Sequence, residues 1–284
     1  MPLRVGRFTL HEIRDCRFAV DGGCMFGPVS RKAWGVNYPP DAENRIQLVS
    51  RCLLIEDGER RILVDTGVGE KMTLEEQIAW DVDRSEYDLD KELARAGTDR
   101  AGVTDVILTH LHREHAGGLT RRRPDGELEL CFPEATFHLQ RRQFRWAHHP
   151  TERDASSYRA EEWTALEQCG RLHLCDSEIE LFEGVEVGVS EGHAVGQQVV
   201  QVIAEDAAVV CCGDLIPTAG HLKPSWQMAT DLYPLTGLEE KKMLLAQALE
   251  SGSILFFCHE PRFPACRLAE EDEGGVVAGE PVYF

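Results

Sequence analysis

The residues best able to do chemistry lie in the stretch DVILTHLHREHAGGL. There an apolar run ends and His110, His112, Glu114 and His115 follow in close succession, ahead of Gly117 and Gly118. Imidazole and carboxylate are the donors that borderline metals such as zinc prefer, and a turn at the end of a strand can aim alternate side chains into one cavity. Three further candidates sit where other apolar runs end: His193 in SEGHAVGQ, Asp214 in VVCCGDL and His259 in LFFCHEP. Taken singly, each reads equally well as a structural histidine, a surface group or a turn aspartate. Their common placement after strands lets all of them converge on one edge of a sheet pair.

The elements that must position these groups follow from periodicity. Arg51–Gly67 and Gln198–Asp214 share one plan, an apolar run, an acidic turn, a second apolar run and an aspartate, and both are expected to be β-hairpins. Further strands are expected at Val103–Leu108, Ala135–Leu139, Ile179–Val189 and Ile254–Cys258. A helix is expected from about Leu238 to Glu250, opened by a Thr236/Glu239 capping box and stopped by Gly252. The charged span at about 70–100, with Trp80 and Tyr87, is expected to be a helical insertion, either a solvated face or a substrate lid. The last fifteen residues show no periodicity.

The order H-x-H-x-E-H, then a histidine, an aspartate and a last histidine resembles the metallo-β-lactamase superfamily over nearly the whole chain. The resemblance implies an α+β fold, a four-layer αββα sandwich of two mixed sheets flanked by helices, as a single domain over residues 1–284. It also implies two divalent metal ions, zinc first, with manganese or iron as alternatives. His110, His112 and His193 would hold one ion and Glu114, His115 and His259 the other, with Asp214 bridging both. Asp65, in LVDTG, matches the family's aspartate beneath the first histidines, where a carboxylate fixes an imidazole's orientation. Glu114 stands where the family usually has aspartate. The extra methylene shifts the carboxylate, which leaves displacement, weaker binding or loss of the second ion open, and two ions remain the expectation.

Within the superfamily, DGGCMFG, NRIQLVSRCLLIEDGERRILVDTG and GDLIPTAGHLKPSWQMATDLYPLTGLEEKK are similar to the branch that includes quorum-quenching acyl-homoserine-lactone lactonases. The activity this implies is hydrolysis of a lactone or ester, such as an N-acyl homoserine lactone, by a metal-bound hydroxide, with Asp214 and Glu114 as the catalytic carboxylates. Phosphotriester or phosphodiester hydrolysis and a non-catalytic binding protein of the same fold are the alternatives. Met25, Phe26, Trp34, Trp226 and Met228 flank the motifs as candidates for an apolar acyl pocket, although each alone reads as ordinary core. His221 is a candidate substrate donor.

Competing motifs are weaker. Gly188–Gly192 spells G-x-S-x-G, but a strand-like run follows where a serine hydrolase needs a helix. Asp65-Thr66-Gly67 is an aspartic-protease triplet, yet it occurs once, and that chemistry needs two carboxylates.

The chain's 284 residues carry 30 basic and 49 acidic side chains, a formal charge of -19, which disfavours a nucleic-acid partner. No export signal and no run of about eighteen apolar residues is present, so a cytoplasmic protein with a small-molecule substrate and no membrane association is expected. The oligomeric state leaves no marker, and a homodimer stays open. Ten scattered cysteines without a C-x-x-C pair are expected to be reduced core thiols.

Overall fold

Runs rich in valine, isoleucine and leucine become strands wherever a turn-forming residue ends them. The computed structural model describes residues 1–205, 207–271 and 275–284. The first sheet starts with β1 (Leu3–Val5), β2 (Phe8–Asp21), β3 (Arg45–Glu56) and β4 (Arg61–Val64), all antiparallel neighbours, and β5 (Asp105–Ile107) joins parallel to β4. The Asp57 carboxylate accepts from the amides of Glu59 and Arg60 and so closes the β3–β4 turn. A small separate hairpin, β6 (Thr120–Arg122) and β7 (Leu128–Leu130), precedes β8 (Thr136–Gln140) and β9 (Leu172–Cys175), which complete the first sheet in parallel.

The second sheet runs in chain order through β10 (Ile179–Phe182), β11 (Val185–Ser190), β12 (Gln197–Ile203), β13 (Ala208–Cys211), β14 (Ile254–Phe256), β15 (Ala265–Glu270) and β16 (Val276–Val282). Only β13 and β14 are parallel within it, their connection being the helix Pro234–Ser251.

The two sheets pack face to face. Leu53, Ile55, Ile62, Val64 and Ile107 from the first meet Val187, Val200, Val202, Val209 and Phe256 from the second. The alternate residues of the same strands, Cys52, Leu54, Leu63 and Val106, face outward onto Leu89, Leu93 and Leu166. Val210 and Leu255 likewise face Leu245 and Ala248 of the long helix. Strands covered on both sides read as continuous apolar runs, which is the pattern of a layered αββα sandwich. No helix among the described residues is long and apolar enough to cross a membrane.

Both expected hairpins form, as β3–β4 and β12–β13; position 206, in the acidic turn of the second, lies outside the described residues. Elsewhere the expectations need correction. Ile179–Val189 is two strands, because Glu183 and Gly184 make a tight turn with Gly184 at φ 75°. The span 70–100 is no continuous helical insert but two short helices, Leu74–Ala79 and Leu89–Arg95, separated by turns that bridge to β2 through Arg17 and Asp83. The helix before β14 begins at Pro234, whose fixed φ suits a first turn, so Thr236 and Glu239 lie inside it and form no cap. The C-terminal stretch pairs as β15 and β16, although residues 272–274 lie outside the described set.

Candidate metal centre

Each expected site residue follows the carboxyl end of a strand. Asp65 follows β4; His110, His112, Glu114 and His115 follow β5; His193 follows β11, Asp214 β13 and His259 β14. Two loops from the first sheet are locked together at the rim. A Cβ on Gly117 or Gly118 would meet the carbonyl oxygens of Val68 and Thr66 at 2.0 Å, so only glycine lets the histidine loop sit against the Asp65–Gly69 loop.

The convergence that the sequence requires is present. His110, His112 and His193 form one group of donors, and His115, Asp214, His259 and Cys258 form a second. All seven side chains are buried. In the first group His193 Nε2 lies 3.1 Å from His112 Nδ1. In the second, His115 Nε2 and His259 Nε2 are 3.2 Å apart. Asp214 links them: Oδ1 is 3.2 Å from His115 Nε2 and 3.3 Å from His259 Nε2, while Oδ2 is 3.5 Å from His193 Nε2.

The outer ring nitrogens of four of the five imidazoles are already committed, which sets the face each of these presents. His115 Nδ1 donates to Asp65 at 2.8 Å, His193 Nδ1 to Asp231 at 2.9 Å and His259 Nδ1 to the Val49 carbonyl at 3.1 Å. His110 Nδ1 donates to Thr109 Oγ1 at 3.0 Å, and that hydroxyl donates to Asp65. Four imidazoles thereby present a bare Nε2 inward, while His112 turns Nδ1 toward His193 and keeps its own Nε2 buried without a hydrogen-bond partner. His110 Nε2 is buried with no hydrogen-bond partner. Such an orphaned nitrogen carries a desolvation cost that a cation removes.

Charge follows the same logic. Burial and the neighbouring imidazoles push His110 and His112 well below the ordinary histidine range, leaving both neutral. Burial opposes protonation of His115 and His193 too. Asp214 and Asp65 outweigh it at His115, as Asp231 and Asp214 do at His193, and both are held up. Asp214 is held well below the usual carboxylate range because His115 and His259 outweigh its burial. Five imidazoles, four of them backed by a hydrogen-bond partner, and one shared carboxylate fit two divalent cations, which would displace the protons that Asp214, Asp65 and Asp231 favour at His115 and His193.

Glu114 is the exception among the expected ligands. It lies half-buried in the short helix Arg113–Ala116, lines the mouth of the cleft and belongs to neither donor group. Asp65 does stand beneath the histidine loop, reaching His115 directly and His110 through Thr109. Of the expected pocket residues, Met25 and Met228 line the cleft, together with Phe18, Val20, Leu48 and Trp80, around a volume of about 200 Å³. Phe26 and Trp34 are instead fully buried beneath it, stacked with centroids 5.6 Å apart, and Trp226 packs edge-on against Phe26. His221 is no substrate donor. Its Nε2 donates to the Met25 carbonyl, its Nδ1 accepts from Thr218, and it is fully buried against Phe26.

The sequence reading did not single out Thr109, Asp231 or Cys258 in these roles. Adjacency to a ligand was the available signal for Thr109 and Cys258; Asp231 had none, since it reaches His193 from 38 positions away.

Residues 45–121, which carry the β3–β4 hairpin and the histidine loop, match the model of the metallo-beta-lactamase superfamily. The chain is 25% identical over 267 residues to an N-acyl homoserine lactonase of Bacillus cereus, covering 87% of this chain and 94% of that one. Its fold overlays that of a probable metal-dependent hydrolase from Staphylococcus aureus with a TM-score of 0.87, at 24% identity over 99% of this chain and 100% of the other. It overlays AidC, a dizinc quorum-quenching lactonase in complex with the product N-hexanoyl-L-homoserine, with a TM-score of 0.79 at 20% identity, covering 100% and 98%.

Proposed function

We propose that this protein is a member of the metallo-β-lactamase superfamily that hydrolyses a lactone or carboxylic ester at a centre of two divalent cations, with zinc as the expected ion and N-acyl homoserine lactones as the substrate class. The observation that carries the reading is the Asp214 carboxylate, which has one oxygen in each of two histidine groups. The lactonases among its relatives supply the choice of substrate.

Cations bound there supply a Lewis acid for the carbonyl oxygen and a water of lowered pKa at neutral pH. The chain's own residues do the rest. Asp214 fixes the spacing of the two groups, and Asp65, Asp231 and Val49 hold the imidazoles in register from behind. Phe18, Leu48, Trp80 and Met228 form an apolar wall that takes an acyl chain and excludes water from the reacting carbonyl. Glu114, at the mouth with His112 and His193, is the carboxylate placed to exchange a proton with the departing alcohol.

Turnover of acyl-homoserine lactones of increasing chain length, assayed beside an aryl phosphotriester, tests this. Lactone opening should dominate and should fall to background in chelated protein and in Asp214→Asn. Equal rates in loaded and chelated protein would sink the reading, and a dominant phosphotriesterase rate would reassign the substrate.

A further inference from the structure

We infer that Cys258 is a metal ligand, its thiolate completing the site formed by His115, His259 and Asp214 in the place expected for Glu114. This rests on the two-cation reading above. One donor atom from each of the four residues lies within 4.8 Å of the other three, and Glu114 contributes none. Tetrahedral zinc with nitrogen ligands near 2.0–2.1 Å and sulfur near 2.3 Å keeps its donors about 3.3–3.5 Å apart. The edges observed here are 3.2 Å for His115 to His259, 3.2 and 3.3 Å from Asp214 Oδ1 to these two, and 3.3 Å from Cys258 Sγ to Asp214 Oδ1. The cysteine therefore stands at the spacing of a coordination edge.

The backbone around it leaves the thiol little freedom. The Cys258 carbonyl accepts from the Arg51 amide at 3.1 Å, and the His259 amide donates to Pro217 at 3.0 Å, so the segment is tied to β3 on one side and to the loop after Asp214 on the other. Cys258 is 1% exposed, and besides Asp214 its sulfur reaches only the Gly213 carbonyl, at 3.5 Å. Thiolate is a preferred donor for zinc, and coordination removes its proton outright. Thiolate and Asp214 together then balance one divalent ion, and the other ion is served by three neutral imidazoles and the second Asp214 oxygen. The competing role is a thiol that merely donates to Asp214 and steers it.

Zinc K-edge X-ray absorption on protein carrying two zinc ions separates these roles without any assay of turnover. One sulfur scatterer at about 2.3 Å per two zinc ions is expected in the native chain and in Glu114→Gln, and none in Cys258→Ala. Should Cys258→Ala fail to fold, the native spectrum still decides, because no other cysteine among the described residues joins a donor group. Cobalt-loaded native protein should then show thiolate-to-metal charge-transfer absorption. Two zinc ions with nitrogen and oxygen neighbours only would overturn the cysteine assignment and leave the two-cation reading intact. A sulfur shell that persists in Cys258→Ala would overturn it as well, and a protein that takes up no zinc would overturn both readings.

Discussion

Asp65 shows how much a residue that touches no substrate can control. It adopts φ 61°, a conformation that side chains other than glycine rarely take, and its carboxylate accepts from the Thr109 amide, the Thr109 hydroxyl and His115 Nδ1. Asp65→Asn keeps the shape but loses the charge that orients His115. Zinc affinity should fall about 10- to 100-fold, measured by competition with a chromophoric chelator. His221 makes the contrasting prediction. Burial, with a contribution from Lys241, depresses it to about 3 from the ordinary 6.5, so the folded protein keeps it neutral while the unfolded chain protonates. Its contribution to stability is complete above pH 6.5 and is lost as pH falls toward about 3. Denaturant midpoints of metal-free His221→Gln should therefore depend less on pH across that window than those of the native chain. The histidine loop was legible because several ligand types crowd a short turn. Glu114 has the spacing of a ligand but lines the cleft outside both donor groups, and spacing alone does not report direction.

Among the elements, the β3–β4 hairpin was legible from Asp57-Gly58 between two apolar runs. β2 was not, although it is the longest strand, at 14 residues. The register shifts between Arg14 and Cys16, and burial keeps no period of two along the strand: Phe8 and Leu10 alternate, Ile13 and Asp15 fall on the other parity, and Cys16 and Phe18 return to the first. The sheet interface is where a single truncation should cost most: Phe256→Ala, fully buried between the sheets, should destabilise by about 3–5 kcal/mol in urea titrations. The turn after the Leu74–Ala79 helix reaches the site instead. Trp80 stacks on Phe18 with centroids 5.7 Å apart, the Arg113 guanidinium lies 3.8 Å from the Trp80 ring centroid, and Trp80 forms part of the cleft wall. Trp80→Ala should raise KM for long-chain lactones roughly tenfold, about 1.4 kcal/mol, and leave the shortest nearly unchanged. A wall confined to catalytic machinery would instead lower kcat for every chain length.

For the molecule as a whole, the strand runs pointed to buried sheets and the family resemblance to the four-layer sandwich, while neither pointed to the pairing of the last two strands or the division of the 70–100 span. Those segments are held by tertiary pairing and by caps at Thr73 and Asp88, which composition alone does not reveal. Cations bind the folded state in preference to the unfolded one, so free zinc at a thousandfold its dissociation constant adds about 4 kcal/mol. Chelation should lower Tm by several degrees, and Asp214→Asn should shrink that difference.

The donors also come from opposite layers: His110, His112 and His115 leave the first sheet, and His193, Asp214, Cys258 and His259 leave the second. Ions at this seam would act as rivets between two plates otherwise joined by apolar packing and by hydrogen bonds such as that from the Arg51 amide to the Cys258 carbonyl. Amide exchange should therefore quicken on demetallation at the ends of β5, β13 and β14 together, and remain slow at their far ends, where the rivets do not reach.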